Sequence, residues 1–368
     1  MRIIFICVCL VFIVSVSTPV SAAKHESQAK FYELNKGNFS VKFTNRGASI
    51  VSVIVPDKTG KLDDVVLGYD SVEQYAHNTP SFGAIVGRVA NRIGGAQFTL
   101  NGIIYELIAN DGNNTLHGGH PGFGDVVWTV SRHERSGPVP YITFTHHSFD
   151  GEQRFPGDLS VSVTYKLLGY QQLSVNMKAV ALNKATPVNI ILHAYWNLLG
   201  HNTGDILSHK VQIFGSHITP TDNTLVPNGE IVTVKDTPYD FLKPQPVGSR
   251  IEKLSGGYDI NYVVDGPEDQ KIKKIAVVYE EKSGRVMKLW SDKPGVQFYT
   301  SGSLTDTKGK GGFVYSRYAA LCLETQGFPD SVNHPNFPSV IVNPGKPYTH
   351  HMLFQFSTKM ESDLLAQQ

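Results

Sequence analysis

The chain has 368 residues, 41% of them hydrophobic, and 33 basic side chains against 32 acidic ones, for a formal net charge of +1. That balance argues against nucleic acid or an acidic membrane surface as the main partner, and the apolar content leaves no room for a long disordered region. The length is large for one domain and small for three, and it can bury a sizeable core.

The first element is a leader over residues 1–23. Arg2 precedes the apolar stretch Ile3 to Val14, and small residues lead to Val20-Ser21-Ala22-Ala23, the order of a secretory signal that is removed. An uncleaved membrane anchor is the competing reading, for which the apolar stretch is short. A secreted or endomembrane chain without stable membrane insertion after cleavage is the expectation. Cys7 and Cys9 lie in the leader, so the mature chain keeps Cys322 alone. It can form no internal disulfide and must be held by its core. Asn38-Phe39-Ser40 and Asn113-Asn114-Thr115 fit the N-glycosylation pattern, the second among candidate site residues.

Residues 24–368 read as one domain of short strands, since no repeat or linker interrupts them. Phe39, Val41 and Phe43 alternate with polar residues, and Ile50 to Val55 is rich in β-branched side chains. A single short helix is expected at Ser71 to His77 with Ser71 as its cap. Phe98 to Tyr105 carries the Asn101-Gly102 signature of a two-residue hairpin. Leu159, Val161, Val163, Tyr165 and Leu167 alternate, as do Leu173, Val175 and Met177; Val286 to Trp290 and Gln297 to Thr300 follow suit. Many short strands with Gly/Pro punctuation predict an all-β fold, a large β-sandwich.

Four polar stretches could carry chemistry. In "GRVANRIGGAQFTLNG", Arg88, Asn91 and Arg92 precede a Gly-Gly turn; an arginine fork suits oxygen-rich ligands, and equally a surface ion pair. In "NDGNNTLHGGHPGFGD", His117 precedes two glycines that allow close backbone approach, as at a ligand site or in a plain turn. In "ATPVNIILHAYWNLLG", His193 sits inside an apolar run. As a strand this would put His193 and Tyr195 on one face and Trp196 on the other, and a core histidine satisfied by backbone is the alternative. In "LCLETQGFPDSVNHP", Glu324 follows an apolar run without a break. Cys322 and Glu324 would share a face there, with Glu324 at the strand end over a cleft. Such a carboxylate is either a general base or the partner of an arginine.

Other chemistry finds little support. No Gly-Lys-Ser/Thr phosphate loop, His-Glu-x-x-His or Gly-x-Ser-x-Gly occurs, and Gly309-Lys310-Gly311-Gly312 reads as a mobile surface loop. His146-His147 and His350-His351 are poor chelators, because neighbouring strand residues point to opposite faces. Neither a metal nor a cofactor is expected. One Glu, two His, an Arg–Asn pair and aromatic rings suit proton transfer on a neutral, hydroxyl-rich small molecule.

With these stretches in place, the chain resembles the aldose 1-epimerase (galactose mutarotase) family from about Phe39 to Phe356. The specific matches are "FGAIVGRVANRIGGAQFTLNG", "NTLHGG", "HAYWNL", "GGYDINYV", "GVQFYT" and "LCLETQGFPDSVNHPNFPS", in family order. The resemblance implies the galactose mutarotase-like supersandwich, and an isomerase that interconverts the α and β anomers of free hexoses such as glucose and galactose without a cofactor. Carried onto this chain, Glu324 is the base that takes the anomeric proton, and His193 is the acid that protonates the ring oxygen. His117 binds near that oxygen, and Asn91, Arg92, Asp259 and Gln297 hold hydroxyls. A monomer is expected, and the leader suggests the secreted branch typical of plant relatives. Two departures stand out. The family usually has polar residues flanking the acid, where this chain has Leu192 and Ala194, and often His after the Tyr-Asp pair, where this chain has Ile260. They motivate a rival reading, a binding protein with weak turnover on the same scaffold. A third, a sugar-phosphate epimerase, would need a basic pocket, and Lys271-Ile272-Lys273-Lys274 reads as a solvated face.

Overall fold

The computed structural model describes residues 28–169, 171–267 and 270–358; the leader expected over residues 1–23 lies outside them. Among the described residues every regular element is a strand or a single 3₁₀ turn. Three antiparallel sheets form the body. The largest has nine strands in the spatial order Thr129–Glu134, Tyr141–Ser148, Leu159–Leu168, Gln172–Ala181, Tyr348–Thr358, Arg285–Ser291, Lys273–Tyr279, Lys210–Ile213 and Gln245–Pro246. A four-stranded sheet runs Phe31–Lys36, Phe39–Thr44, Ser49–Pro56 and Leu62–Asp64. A five-stranded one runs Val232–Thr233, His217–Thr219, Asp259–Val263, Gly295–Tyr299 and Cys322–Gln326.

The alternation in the sequence sets which face goes inward. Along Leu159–Leu168 every second side chain, from Leu159 to Leu167, is buried, while the Ser, Thr and Lys between them are wholly or partly exposed. Its partner strand repeats the pattern in register, Val163 opposite Met177. One continuous apolar cluster draws on all three sheets, with Phe43 from the four-stranded sheet, Val163 and Phe354 from the nine-stranded one, and Phe298 and Leu323 from the five-stranded one. Phe43 packs 4.7 Å from Tyr165, and Trp196 lies 5.2 Å from Phe354. The result is the expected sandwich, one wide sheet covered by two smaller ones. No helix among the described residues is long and apolar enough to cross a membrane.

Local expectations fared unevenly. The hairpin at Gln97–Leu100 and Ile103–Glu106 turns through Asn101 and Gly102, with φ of 52° and 78°, as a type I′ turn requires. Both His pairs split across strand faces: His350 is buried and His351 exposed. The helix expected from Ser71 shrinks to the 3₁₀ turn Gln74–His77; Ser71 and Gln74 still exchange hydrogen bonds, but the helical segment begins later. The Lys310 loop is not the mobile surface loop expected of it. Its Nζ is buried and donates to Val51 O at 2.9 Å, Val66 O at 2.7 Å and Asp64 Oδ2 at 2.6 Å, using all three donors of an ammonium.

Candidate active site

The floor of the site is the face of the five-stranded sheet turned away from the core. Asp259 stands opposite Tyr299, which stands opposite Cys322; one step along, Asn261, Gln297 and Glu324 line up in the same way. Residues two apart share a face, so Asp259, Gln297, Tyr299, Cys322 and Glu324 project to one side. Ile260, Tyr262, Phe298 and Leu323 project into the apolar cluster on the other. Polar side chains on this floor tie one another down. Gln297 Nε2 donates to Asp259 Oδ1 at 2.6 Å, and Gln326 Nε2 donates to Asn261 Oδ1 at 3.1 Å and Gln297 Oε1 at 3.3 Å.

The wall comes from Ile191–Leu192 and the extended residues after it. His193 N donates to Ala84 O and Gly83 N donates to His193 O, both at 2.9 Å. The imidazole stacks on the Tyr195 ring at 4.9 Å and 14°, and Tyr195 Oη donates to Pro80 O. Trp196 faces the opposite way, into the core, as the sequence pattern predicted. A second wall holds Asn91 and His117, both with positive φ, 59° and 56°. Such backbone is strained for a side-chain-bearing residue and persists where the surroundings hold it. Here His117 N donates to Asn91 O at 3.0 Å and Asn91 N donates to His117 Nδ1 at 3.2 Å. With Nδ1 accepting, the neutral ring carries its proton on Nε2. Gly118 follows with φ of 81°, and a Cβ there would meet Gly87 O at 2.3 Å, so only glycine fits the approach.

These walls enclose a hollow of about 180 Å³. All seven residues expected in the site line it: Asn91, Arg92, His117, His193, Asp259, Gln297 and Glu324. Three sequence readings need correction. Glu324 is not at a strand end but in the middle of Cys322–Gln326, a strand buried along its whole length. Arg88, grouped with Asn91 and Arg92, is no ligand residue. Its buried guanidinium donates to Pro156 O, Gly157 O, Thr186 Oγ1, Phe149 O and Ser148, and thus pins two loops together. Leu192, Ala194 and Ile260, the departures from the family pattern, all belong to the core cluster and do not line the hollow. Tyr299, two residues beyond Gln297 on the same face, also lines the hollow, as do Thr79, Pro80 and Ser81, whose stretch carries no periodic signal.

The electrostatics single out one pair. Glu324 Oε1 approaches His193 Nε2 at 3.4 Å. Burial pushes the Glu324 carboxyl well above the ordinary carboxylate range and Asp259 adds to this, while Arg92 pulls the other way. Burial pushes His193 down to about 4. His117 is likewise held neutral, by burial first and then by His193 and Arg92. Arg92 is itself anchored, its Nε 2.7 Å from Asp111 Oδ2. His193, Cys322 and Glu324 each offer one ligand atom within 4.8 Å of the others. The imidazole, however, turns Nδ1 to Cys322 and Nε2 to Glu324, so the trio is a hydrogen-bonding set and not a preformed metal cage.

A buried base and a buried acid in contact, walled by hydrogen-bonding side chains and aromatic rings, can move protons on a small polyol. Comparison with known proteins agrees. A family model described as "Aldose 1-epimerase" matches residues 30–355. The chain is 40% identical to the galactose mutarotase of Homo sapiens over 328 residues, 89% of this chain and 93% of that one. It is 31% identical to the aldose 1-epimerase of Escherichia coli (strain K12) over 330 residues, 88% of this chain and 93% of that one. Among solved structures, the GalM/aldose epimerase homologue from C. elegans superposes with a TM-score of 0.84 at 27% identity, covering 90% of this chain and 99% of that one. This chain belongs to the aldose 1-epimerase family.

Proposed function

We propose that the hollow binds a free hexose such as glucose or galactose, with O1 against Glu324 and the ring oxygen against His193 Nε2, and that these two groups carry the interconversion of its anomers. The reactive form of the ring-closed complex has Glu324 as the carboxylate and His193 as the imidazolium, the less populated arrangement of the pair's one exchangeable proton. The Glu324 carboxylate takes the O1 proton as His193 gives its Nε2 proton to the ring oxygen; the C1–O5 bond breaks and an aldehyde forms. Rotation about C1–C2 presents the other carbonyl face, and the same transfers in reverse close the ring as the opposite anomer. No net proton or electron is consumed, so no cofactor enters the balance.

The observation that carries this reading is the direction of the two shifts. Burial makes the Glu324 carboxylate a stronger base and the His193 imidazolium a stronger acid than either is in water, which is the bias that ring opening needs. Asn91, Arg92, His117, Asp259 and Gln297 supply donors and acceptors for the remaining oxygens. The Lys271–Lys274 cluster does not line the hollow, which favours a neutral sugar over a sugar phosphate. The flanks of His193 face the core, so the reason for suspecting a mere binding protein falls away.

Polarimetry tests it. Freshly dissolved α-glucose and α-galactose equilibrate faster with the wild-type chain, and Glu324→Gln loses about 10²–10⁴-fold of that acceleration. Equal rates from the two proteins would end the acid–base assignment.

A further inference from the structure

Behind the residues that line the hollow lies a short relay of side-chain amides. Gln326 is wholly buried and does not line the hollow. It stands two residues beyond Glu324, on the same face of Cys322–Gln326, and opposite Gly295. The missing side chain there leaves the relay room, since a Cβ on Gly295 would meet Asn261 Oδ1 at 2.5 Å. Gln326 makes both of its side-chain contacts as a donor. Its Nε2 gives to Asn261 Oδ1 at 3.1 Å and to Gln297 Oε1 at 3.3 Å, while its Oε1 is buried without a partner among the described residues. Gln297 is thereby gripped from behind by its oxygen and in front by its nitrogen, which donates to Asp259 Oδ1 at 2.6 Å. An amide nitrogen carries two N–H groups and a carboxylate two oxygens. One N–H of Gln297 and Oδ2 of Asp259 are therefore left for whatever fills the hollow, which both residues line.

We propose that Gln326 is a positioning residue: its donation to Gln297 Oε1 keeps the Gln297 amide turned with Nε2 towards Asp259 and the hollow, so that O2 of the sugar meets one donor and one acceptor. The competing arrangement is a turned amide. Burial pushes the Asp259 carboxyl up, and a protonated Asp259 would donate to Gln297 Oε1 as readily as the carboxylate accepts from Nε2. Turning would set Nε2 of Gln297 against Nε2 of Gln326, two buried donors face to face, and that mismatch excludes it. The assignment to O2 follows from the placement of the hexose proposed above, on which the inference rests. With O1 at Glu324 and the ring oxygen at His193, the other neighbour of C1 is C2, and Gln297 is the residue paired directly with Glu324 across the sheet.

Calorimetric binding and polarimetry on the full chain test this, with D-glucose and 2-deoxy-D-glucose as probes. The wild type binds glucose at least about 10-fold more tightly than 2-deoxyglucose, because the deoxy sugar leaves a buried donor and a buried acceptor unpaired. Gln326→Met, similar in length but without a donor, weakens glucose binding by about 10-fold and leaves 2-deoxyglucose within about 2-fold, so the preference is lost. In polarimetry the change for glucose falls on KM, with kcat within about 2-fold of wild type. A role in folding alone would weaken both sugars alike. Gln326→Leu serves if the Met protein does not fold. An unaltered preference for glucose in a folded variant, or an equal loss for both sugars, overturns the inference. A wild type that binds the two sugars equally overturns it without any variant. Failure of Glu324→Gln to lose activity would instead remove the proton-transfer reading, while the binding preference, measured without turnover, would stand.

Discussion

Glu324 sits where a carboxylate is poorly solvated, 2% exposed and near a second acid, the partly buried Asp259. Its folded pKa is raised above its unfolded value, so the unfolded chain releases that proton more readily. The stability it would offer as a neutral acid is therefore fully present below the unfolded pKa and is lost as pH rises through the folded one. At pH 7 the raised carboxyl therefore costs the fold stability. Glu324→Gln, which cannot ionise, is expected to melt higher than wild type while being inactive, by about 2 °C or more for each kcal/mol released. Differential scanning calorimetry at pH 7 reads this directly; a lower melting temperature for the Gln protein would show that the carboxylate is not strained. Asn91 and His117 carry strain of another kind, in their backbone, and the two hydrogen bonds between them are what hold it. A sequence shows neither form of strain, because both arise from neighbours distant along the chain.

At the scale of elements, the strand alternation was legible and the loops were not. Phe39, Val41 and Phe43, or Leu159 through Leu167, announced their inward faces, and the structure buries each of them. The same logic explains the floor of the site, where polar residues at 259, 261, 297, 299 and 324 occupy the positions that alternate with Ile260, Phe298 and Leu323. What misled was a segment whose role depends on where it docks. Lys310 lies among glycines, so it reads as solvated, yet it bonds two residues of the four-stranded sheet and its connection, Val51 and Val66, and pairs with Asp64. Lys310→Ala leaves Asp64 half-buried without its cation, and is expected to destabilise the fold by about 3–5 kcal/mol. Urea denaturation measures it, and a loss below about 1 kcal/mol would mean the ion pair is replaceable by water.

The whole molecule adds a pH dependence that no single site predicts. His117, His209 and His350 are all buried, and burial pushes each one's pKa below that of free histidine. Each is also committed as a hydrogen-bonding partner: to Asn91 N, to Leu198 N at 2.9 Å, and to Thr325 Oγ1 at 2.7 Å. The unfolded chain binds protons at these groups once pH falls below about 6.5, whereas the folded chain does not, so stability present at neutral pH is lost towards acid. Each histidine that stays neutral lowers stability by about 2 kcal/mol between neutral pH and pH 5. The urea midpoint is therefore expected to drop markedly from pH 7 to pH 5. An unchanged midpoint over that interval would mean that these rings take up protons in the folded state.

By itself the sequence determined the fold class, through period-two hydrophobicity, and the chemical inventory of the site, through six family-like stretches. Both are local properties, carried by neighbours in the chain. The resemblance named seven residues, and only tertiary structure could bring them to one hollow, because they come from six separate segments between residues 91 and 324. It also decided which arginine serves the hollow and which one braces loops, and that Leu192, Ala194 and Ile260 turn inward. The distance between a carboxylate and an imidazole 131 positions apart is set by sheet pairing and core packing, and so are the shifts in their proton affinities, since burial is a property of the assembled molecule.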